Sequence, residues 1–326
     1  MKSVMFLMSV VLALTTIACS SGSSRMPLTE EVVEEGRIRF VRNTTYDGQV
    51  LTILGEDGGR PELTTARNAV DAGNPSRPAM PGHSGWAWTL FNFAQDSTTY
   101  AYAGVSWAND DPTDYLAAGY WIHYPSHPPD QATAEGAGFI DGPELDVTDP
   151  PLLPMQGQAT YRGLAGGAYV YQYGDGWGEE LAGAYGVGDY VGTVTLTADF
   201  AASTLSGCIG CEGDITLWRS QLRELLGGPA REIHALPTDY KLHLGAVPFN
   251  TEDGTFEHTD VTVTHPERGI AQSGGFWGGQ FSNIPDSAGN PRLVAGFSDA
   301  QFEEVDGSLG SFWGMFNGVS RLWLEE

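Results

Sequence analysis

Positive charge is scarce in this chain: 16 Lys and Arg stand against 41 Asp and Glu over 326 residues, a formal net charge of −25. A surface of that sign repels the phosphates of nucleic acid and of anionic lipid headgroups, which excludes both as charge-driven partners. Cysteine is scarcer still, at three residues, and two thiols alone fall short of the four ligands of a structural zinc site. Nothing resembles a nucleotide-binding loop or a zinc-protease helix. The glycine-rich run GGFWGG (274–279) lacks the lysine of a phosphate loop and sits among strand-forming residues, so its glycines read as places where strands bend or a large neighbour lies flat. No Ser-His-Asp spacing stands out, and no acid pair is singled out for glycoside hydrolysis, which needs two carboxyls at a set separation in a cleft. No catalytic residue is assigned, and the chain reads as a protein without enzymatic activity.

What is present begins with an export signal. Residues 1–18 carry one positive charge, Lys2, then a weakly polar to apolar run that stops at Cys19. The run is too short for a membrane span. Thr16, Ile17, Ala18 and Cys19 resemble the cleavage box of bacterial lipoproteins, which implies cutting after Ala18 and acylation of Cys19. Residues 19–27 are then a short polar tether. With so acidic a mature chain, membrane attachment is expected through the lipid anchor alone.

Glycine (43) together with Trp, Tyr and Phe (36) supplies tight turns and cross-strand packing surface, so the fold is expected to be mainly β. Residues 28–150 form a first β-rich region with aromatic strand-length runs at 85–93, 98–107 and 115–124. Seven prolines between 125 and 156 mark a connector, and the domain boundary is placed near 150. The second region, 151–326, alternates more cleanly. Val194, Leu196, Ala198 and Phe200 share one face against Thr193, Thr195, Thr197 and Asp199; Tyr240, Leu242, Leu244 and Ala246 alternate with Lys241 and His243; Val261 and Val263 alternate with Asp260, Thr262 and Thr264. Nine such runs with short connections favour an antiparallel meander closed into an up-and-down barrel, with a sandwich as the competing packing. One helix is expected over 216–226, with Trp218, Leu222, Leu225 and Leu226 on one stripe and glycines after it.

Cys208 and Cys211 fall at the tip of an expected hairpin. In an exported chain they read as a local disulfide and not as a redox motif, which would want a helix N-terminus. Of the seven histidines, at 83, 123, 127, 234, 243, 258 and 265, His243 and His258 fall on the polar sides of neighbouring runs, where they could approach one another beside Glu257 or Asp260. His123 offers a comparable axial position. Surface histidines usually carry no such role, and neither metal nor cofactor is assigned. The acidic turn at 109–114 lacks the glycine and closing glutamate of a calcium hand and reads as solvated. Trp86, Trp88, Tyr100, Tyr102, Trp107, Tyr120 and Trp121 divide between core packing and a recognition surface for protein or sugar.

Five blocks in succession, TYRGLAGG (160–167), GTVTLTADF with LSG (192–200, 205–207), GFWGGQF (275–281), LVAGF (293–297) and GSFWG (310–314), resemble the barrel domain of transferrin-binding protein B and its relatives among surface lipoproteins of Gram-negative bacteria. The resemblance covers about half the chain. It implies a handle-like domain over 28–150 and an eight-stranded antiparallel barrel over 151–326, a single pair where larger members carry two. It further implies a monomeric outer-membrane lipoprotein, on the cell surface in preference to the periplasmic face, that captures a host or environmental protein, haem or another iron source. Ligand-binding residues in that family lie in variable loops, so none is carried over. A structural envelope protein without a ligand, and a carbohydrate-binding or hydrolytic protein, are the rival readings.

Overall fold

The computed structural model describes residues 151–178, 182–219 and 236–320 and, ahead of them, the backbone of eight strands between 38 and 141. The export signal, Cys19, the tether, the 109–114 turn and His83, His127 and His234 lie outside the described residues. Among the described residues no helix is long and apolar enough to cross a membrane.

The strands fall into three antiparallel sheets. β1 (Ile38–Arg42), β2 (Gln49–Ile53) and β3 (Glu62–Thr64) make the first; β4 (Ala69–Val70), β5 (Trp86–Ala94), β6 (Thr99–Ala108), β7 (Tyr115–His123) and β8 (Glu135–Asp141) make the second. β8 lies inside the proline-rich stretch read as a connector. Its seven residues, EGAGFID, contain no proline and pair along β7, so the prolines flank a strand instead of excluding one.

The third sheet is the expected barrel. Its strands are β9 (Gln158–Gln172), β10 (Tyr185–Asp199), β11 (Thr204–Ile209), β12 (Thr216–Arg219), β13 (Lys241–Pro248), β14 (Thr255–His258), β15 (Val261–Thr264), β16 (Ile270–Phe281), β17 (Leu293–Glu304) and β18 (Leu309–Ser320). The last strand returns to the first: β18 pairs with β9 over twelve residues, from Leu309 opposite Gln172 to Ser320 opposite Tyr161. At the other seam β15 pairs with β13, while β14, two residues upstream, pairs with β16 and bridges back at Phe249 and Phe256. β14 and β15 are thus two halves of one bent strand. Counting them as one, and β11 with β12 as one, gives eight strands in meander order.

The short helix expected over 216–226 is not what its first residues form. Thr216–Arg219 is strand β12, which continues along β10 from where β11 leaves it, with Trp218 opposite Asp189. A free length of β10 backbone offers ladder hydrogen bonds that outweigh a helical pattern of leucines. The rest of that pattern lies outside the described residues.

Alternate side chains fill the lumen. Tyr161, Tyr169, Tyr171, Tyr190, Tyr240, Trp277, Phe281 and Phe312 are its largest fully buried groups. Tyr169 stacks on Phe312 with ring centroids 4.2 Å apart, and Phe281 meets Tyr161, Phe249 and Phe256 within 5.7 Å. An eight-stranded barrel is just wide enough for side chains or one small ligand; here the rings take the space. One half of the wall is buried on both faces. β13 and β15 alternate buried and accessible positions, whereas β18 is buried at eleven of its twelve residues and β9 through its middle. The second sheet lies over this wall, with β6 and β7 against β17 and β18.

The alternation read at 240–246 is correct up to Leu244 and then changes phase. Ala246 is exposed and Val247 buried, because β13 carries an extra residue where Leu205 faces Val247 but Gly207 faces Leu244. Such a bulge turns every later side chain to the opposite face.

Candidate functional site

Two features of the barrel carry polar chemistry. The first closes one mouth. β9 ends there and β10, β13, β16 and β18 begin there, so that residues 173–178, 265–269 and 305–308 meet over the lumen. Glu304, the last residue of β17, is 2% exposed and points into this mouth. Its carboxylate accepts from Tyr171 Oη at 2.9 Å, Tyr240 Oη at 2.5 Å, and the Nε and Nη2 of Arg268 at 2.6 and 2.5 Å. Charge-assisted, two-pronged contacts of this kind are the stronger hydrogen bonds of proteins. Arg268 also donates to the Tyr171 hydroxyl at 2.8 Å and lies 4.8 Å above the Trp177 ring. Trp177 is held in turn, its Nε1 donating to Ser308 Oγ at 3.2 Å, and the Gly174 amide donates to the same oxygen at 2.9 Å. One guanidinium thereby ties three loops together. Its hydrogen bonds to Glu304 hold the Arg268 pKa above the ordinary value.

Beside Arg268 an open cleft of about 420 Å³ runs along the seam where β15 and β16 diverge, lined by Val263, Thr264, His265, Ile270, Gln272 and Ser273. The Val263 amide donates to Ser273 Oγ at 3.1 Å, a side-chain link across the seam. His265 Nδ1 accepts from the amides of Glu267 and Arg268 at 3.1 and 3.0 Å, which fixes the loop that presents the arginine.

Burial pushes the lumen phenols upward. Tyr171 rises to about 12, and Tyr161, Tyr169, Tyr190 and Tyr240 are likewise raised, desolvation being the largest cause in each. A phenol whose folded value exceeds its unfolded value near 10 binds more protons folded than unfolded above that pH, so its contribution is intact below pH 10 and is lost as pH rises. Each such tyrosine then removes about 1.4 kcal/mol of stability per pH unit above 10. Alkaline titration followed by phenolate absorbance is expected to show these tyrosines ionising together with loss of near-ultraviolet dichroism. Their smooth ionisation in a chain that stays folded would contradict the sealed lumen.

The second feature is the cysteine pair. Cys208 and Cys211 are joined as expected, with Cα atoms 5.8 Å apart. They do not sit at a hairpin tip. β11 leaves β10 at Ile209, opposite Val194, and β12 rejoins it at Thr216, opposite Val191, so residues 210–215 bulge out opposite only Gly192 and Thr193. The bulge is pinned by Gly210 N–H to Thr193 O (2.9 Å), Thr193 Oγ1 to Glu212 O (2.9 Å) and an Arg162–Glu212 ion pair (2.9 Å). His243 and His258 are not brought together: His243 pairs across β13–β11 with Cys208, while His258 lies on β14 opposite Trp277. For His123 and the aromatics of β5, β6 and β7 the backbone register alone is described.

Sequence reasoning found the disulfide and missed the mouth network. The signal for the network was the rarity of positive charge, since Lys241, Arg268 and Arg292 are the only lysines or arginines between 236 and 320. A lone arginine in a loop of so acidic a segment is a candidate for a specific carboxylate partner. No family model matches the chain. No curated protein matches it either. Among solved structures the chain is similar to the vaccine antigen transferrin binding protein B of Haemophilus parasuis Hp5, at 12% identity and a TM-score of 0.31, over 87% of this chain and 53% of that one, so that it spans about half that protein's length.

Proposed function

We propose that the chain is a non-enzymatic surface lipoprotein, anchored through Cys19, that captures a protein or haem-like ligand on its loops and outer face and not within its barrel. The observation that carries this reading is the filled lumen: the rings of Tyr169, Tyr190, Tyr240 and Phe312 pack against one another across the space a small ligand would need. A barrel whose interior is packed and whose mouth is tied shut leaves recognition to its exterior. Loops on a rigid β scaffold are the usual place for it. The seam cleft beside Arg268 is the concave part of that exterior, and its mixture of Val263, Ile270, Gln272 and His265 suits a polypeptide segment better than a free ion. The succession of barrel blocks at 160–167, 192–207, 275–281, 293–297 and 310–314 supports the same reading through its resemblance to ligand-capturing surface lipoproteins.

The test is a pull-down with the unacylated full chain from host serum and from the surroundings of the organism, paired with protease shaving of whole cells. A saturable partner and loss of the chain on shaving are expected. Absence of any partner together with resistance to shaving would overturn the proposal in favour of a structural envelope role, and turnover of a glycan panel would overturn it in favour of a hydrolase.

A further inference from the structure

Five outward positions fall in one row across the barrel wall. Arg162 of β9 faces Thr195 of β10, Thr195 faces Cys208 of β11, Cys208 faces His243 of β13, and His243 faces Thr262 of β15. Their chain neighbours Tyr161, Val194, Ile209, Leu242 and Val263 point into the core, which fixes the row on the outside. Cys208 and His243 are therefore nearest cross-strand neighbours on an accessible face. The 210–215 bulge folds Cys211 back over the same spot, so that the two sulfurs and an imidazole nitrogen all lie within 4.8 Å of one another.

That is close to what a tetrahedral cation asks of three ligands. With bonds of about 2.0 to 2.3 Å the ligand atoms stand roughly 3.3 to 3.8 Å apart. Opening the disulfide separates the sulfurs toward that spacing, and the imidazole needs to approach by about 1 Å. Two supports are already in place. Thr264 Oγ1 contacts His243 Nε2 at 2.9 Å, orienting the ring as an outer-shell partner would and leaving Nδ1 outside that contact. The Arg162–Glu212 pair anchors the bulge beside Cys211 independently of the disulfide.

We infer that Cys208, Cys211 and His243 form a three-ligand site for a thiophilic divalent cation of the Zn²⁺ kind, masked while the two sulfurs are bonded and exposed on their reduction. A dithiol reductant would supply two electrons and two protons to the Cys208–Cys211 bond, giving two thiols and closing its own disulfide. The cation then releases both thiol protons to solvent and binds two thiolates and the neutral imidazole, with the fourth position open to water. Two cysteines three apart plus one cross-strand histidine is the donor set that softness favours for zinc over calcium or magnesium.

The experiment is Zn²⁺ uptake by the full chain, measured by competition with a chromophoric chelator, for the oxidised protein and for protein reduced anaerobically with a phosphine that is then removed. One Zn²⁺ per reduced chain and none per oxidised chain is expected. Cys208→Ser should abolish uptake, and His243→Gln should weaken it by at least about tenfold. Co²⁺ in place of Zn²⁺ should give thiolate-to-cobalt charge-transfer absorption in the reduced chain. Near-ultraviolet dichroism verifies that each variant is folded, with His243→Asn as a second substitution at the same position. The inference fails if the reduced chain takes up no stoichiometric Zn²⁺, if the oxidised chain takes up as much, or if both folded His243 variants keep the wild-type affinity.

Discussion

Arg268→Ala is expected to destabilise the barrel by about 3 kcal/mol, read as a fall in the denaturant midpoint at unchanged slope. The substitution strands the Glu304 carboxylate, 2% exposed at the mouth, with only the two phenol hydroxyls of Tyr171 and Tyr240 to replace a two-pronged guanidinium. Removing one partner of a buried pair costs roughly 3 to 5 kcal/mol because the other charge stays buried. The lower end applies here, since the arginine side chain keeps 23% exposure and part of its interaction is screened. Loss of the stacking over Trp177 adds to the effect and leaves the 173–178 segment held across the mouth by its hydrogen bonds to Ser308.

A double-mutant cycle separates the stranded charge from the lost packing. In a Glu304→Gln background the same Arg268→Ala change should cost only about 1 kcal/mol, because no buried charge is left uncompensated. Equal costs in the two backgrounds would mean that Arg268 acts through its contact with Trp177 and not through the carboxylate. The outcome also bears on ligand capture. A mouth loosened by Arg268→Ala changes the edge of the seam cleft at Val263, Ile270 and Ser273, so a partner bound there should be lost with the arginine while the rings in the lumen stay packed.

The parts of this architecture that the sequence made legible are those in which a side chain's neighbours in the chain decide its fate. Val194, Leu196, Ala198 and Phe200 alternate with threonines and all four are buried; Val261 and Val263 do the same. The period of two was enough, because a half-buried strand must place every second residue inside. What escaped depends on residues distant in sequence. Ala246 was assigned inward and lies outward because a bulge opposite Ser206 shifts the phase of β13, and nothing in the residues around 246 records the strand across from it. Trp218 was given to a helix because leucines at helical spacing follow it, while its pairing opposite Asp189 depends on spare length in β10 some thirty residues earlier. The mouth network joins Tyr171, Tyr240, Arg268 and Glu304, and although the lone arginine stands out in its segment, nothing near it in the chain names its partners. The cysteines were read correctly as a local bond, but His243 was set beside His258. It stands instead opposite Cys208, across the ladder, where only the register of β11 against β13 could place it.

Gly275→Ala is expected to cost about 3 kcal/mol or more, and Gly274→Ala, one residue earlier on the same strand, is expected to leave stability within about 0.5 kcal/mol of the parent. A Cβ at 275 would stand 2.1 Å from the carbonyl oxygen of Asp299 and 2.9 Å from the Ala300 Cα, both backbone atoms of the paired strand that no rotamer change can move aside. A Cβ at 274 would meet nothing within 4 Å, and the loss of glycine's freedom in the unfolded chain even favours the variant slightly. The same close approach recurs where glycines face each other across the ladder. Gly167 lies opposite Gly314, Gly163 opposite Gly318, and Gly279 opposite Gly296. An added Cβ at Gly163, Gly167, Gly279, Gly296 or Gly314 would come within 2.2 Å of a neighbouring carbonyl oxygen. Strands coil this tightly where a glycine leaves room for the neighbouring backbone, and aromatic side chains cover several of the gaps: Phe316 lies against Gly296, Phe302 against Gly310 and the Tyr190 hydroxyl against Gly314. If these glycines were merely weak strand formers, alanine would stabilise both 274 and 275, since glycine in a strand interior is unfavourable by roughly 0.5 to 1 kcal/mol. A large loss at 275 beside little change at 274, measured by the same denaturation experiment, distinguishes curvature from propensity, and equal outcomes would mean that the barrel wall does not close as tightly as the Gly275–Asp299 approach requires.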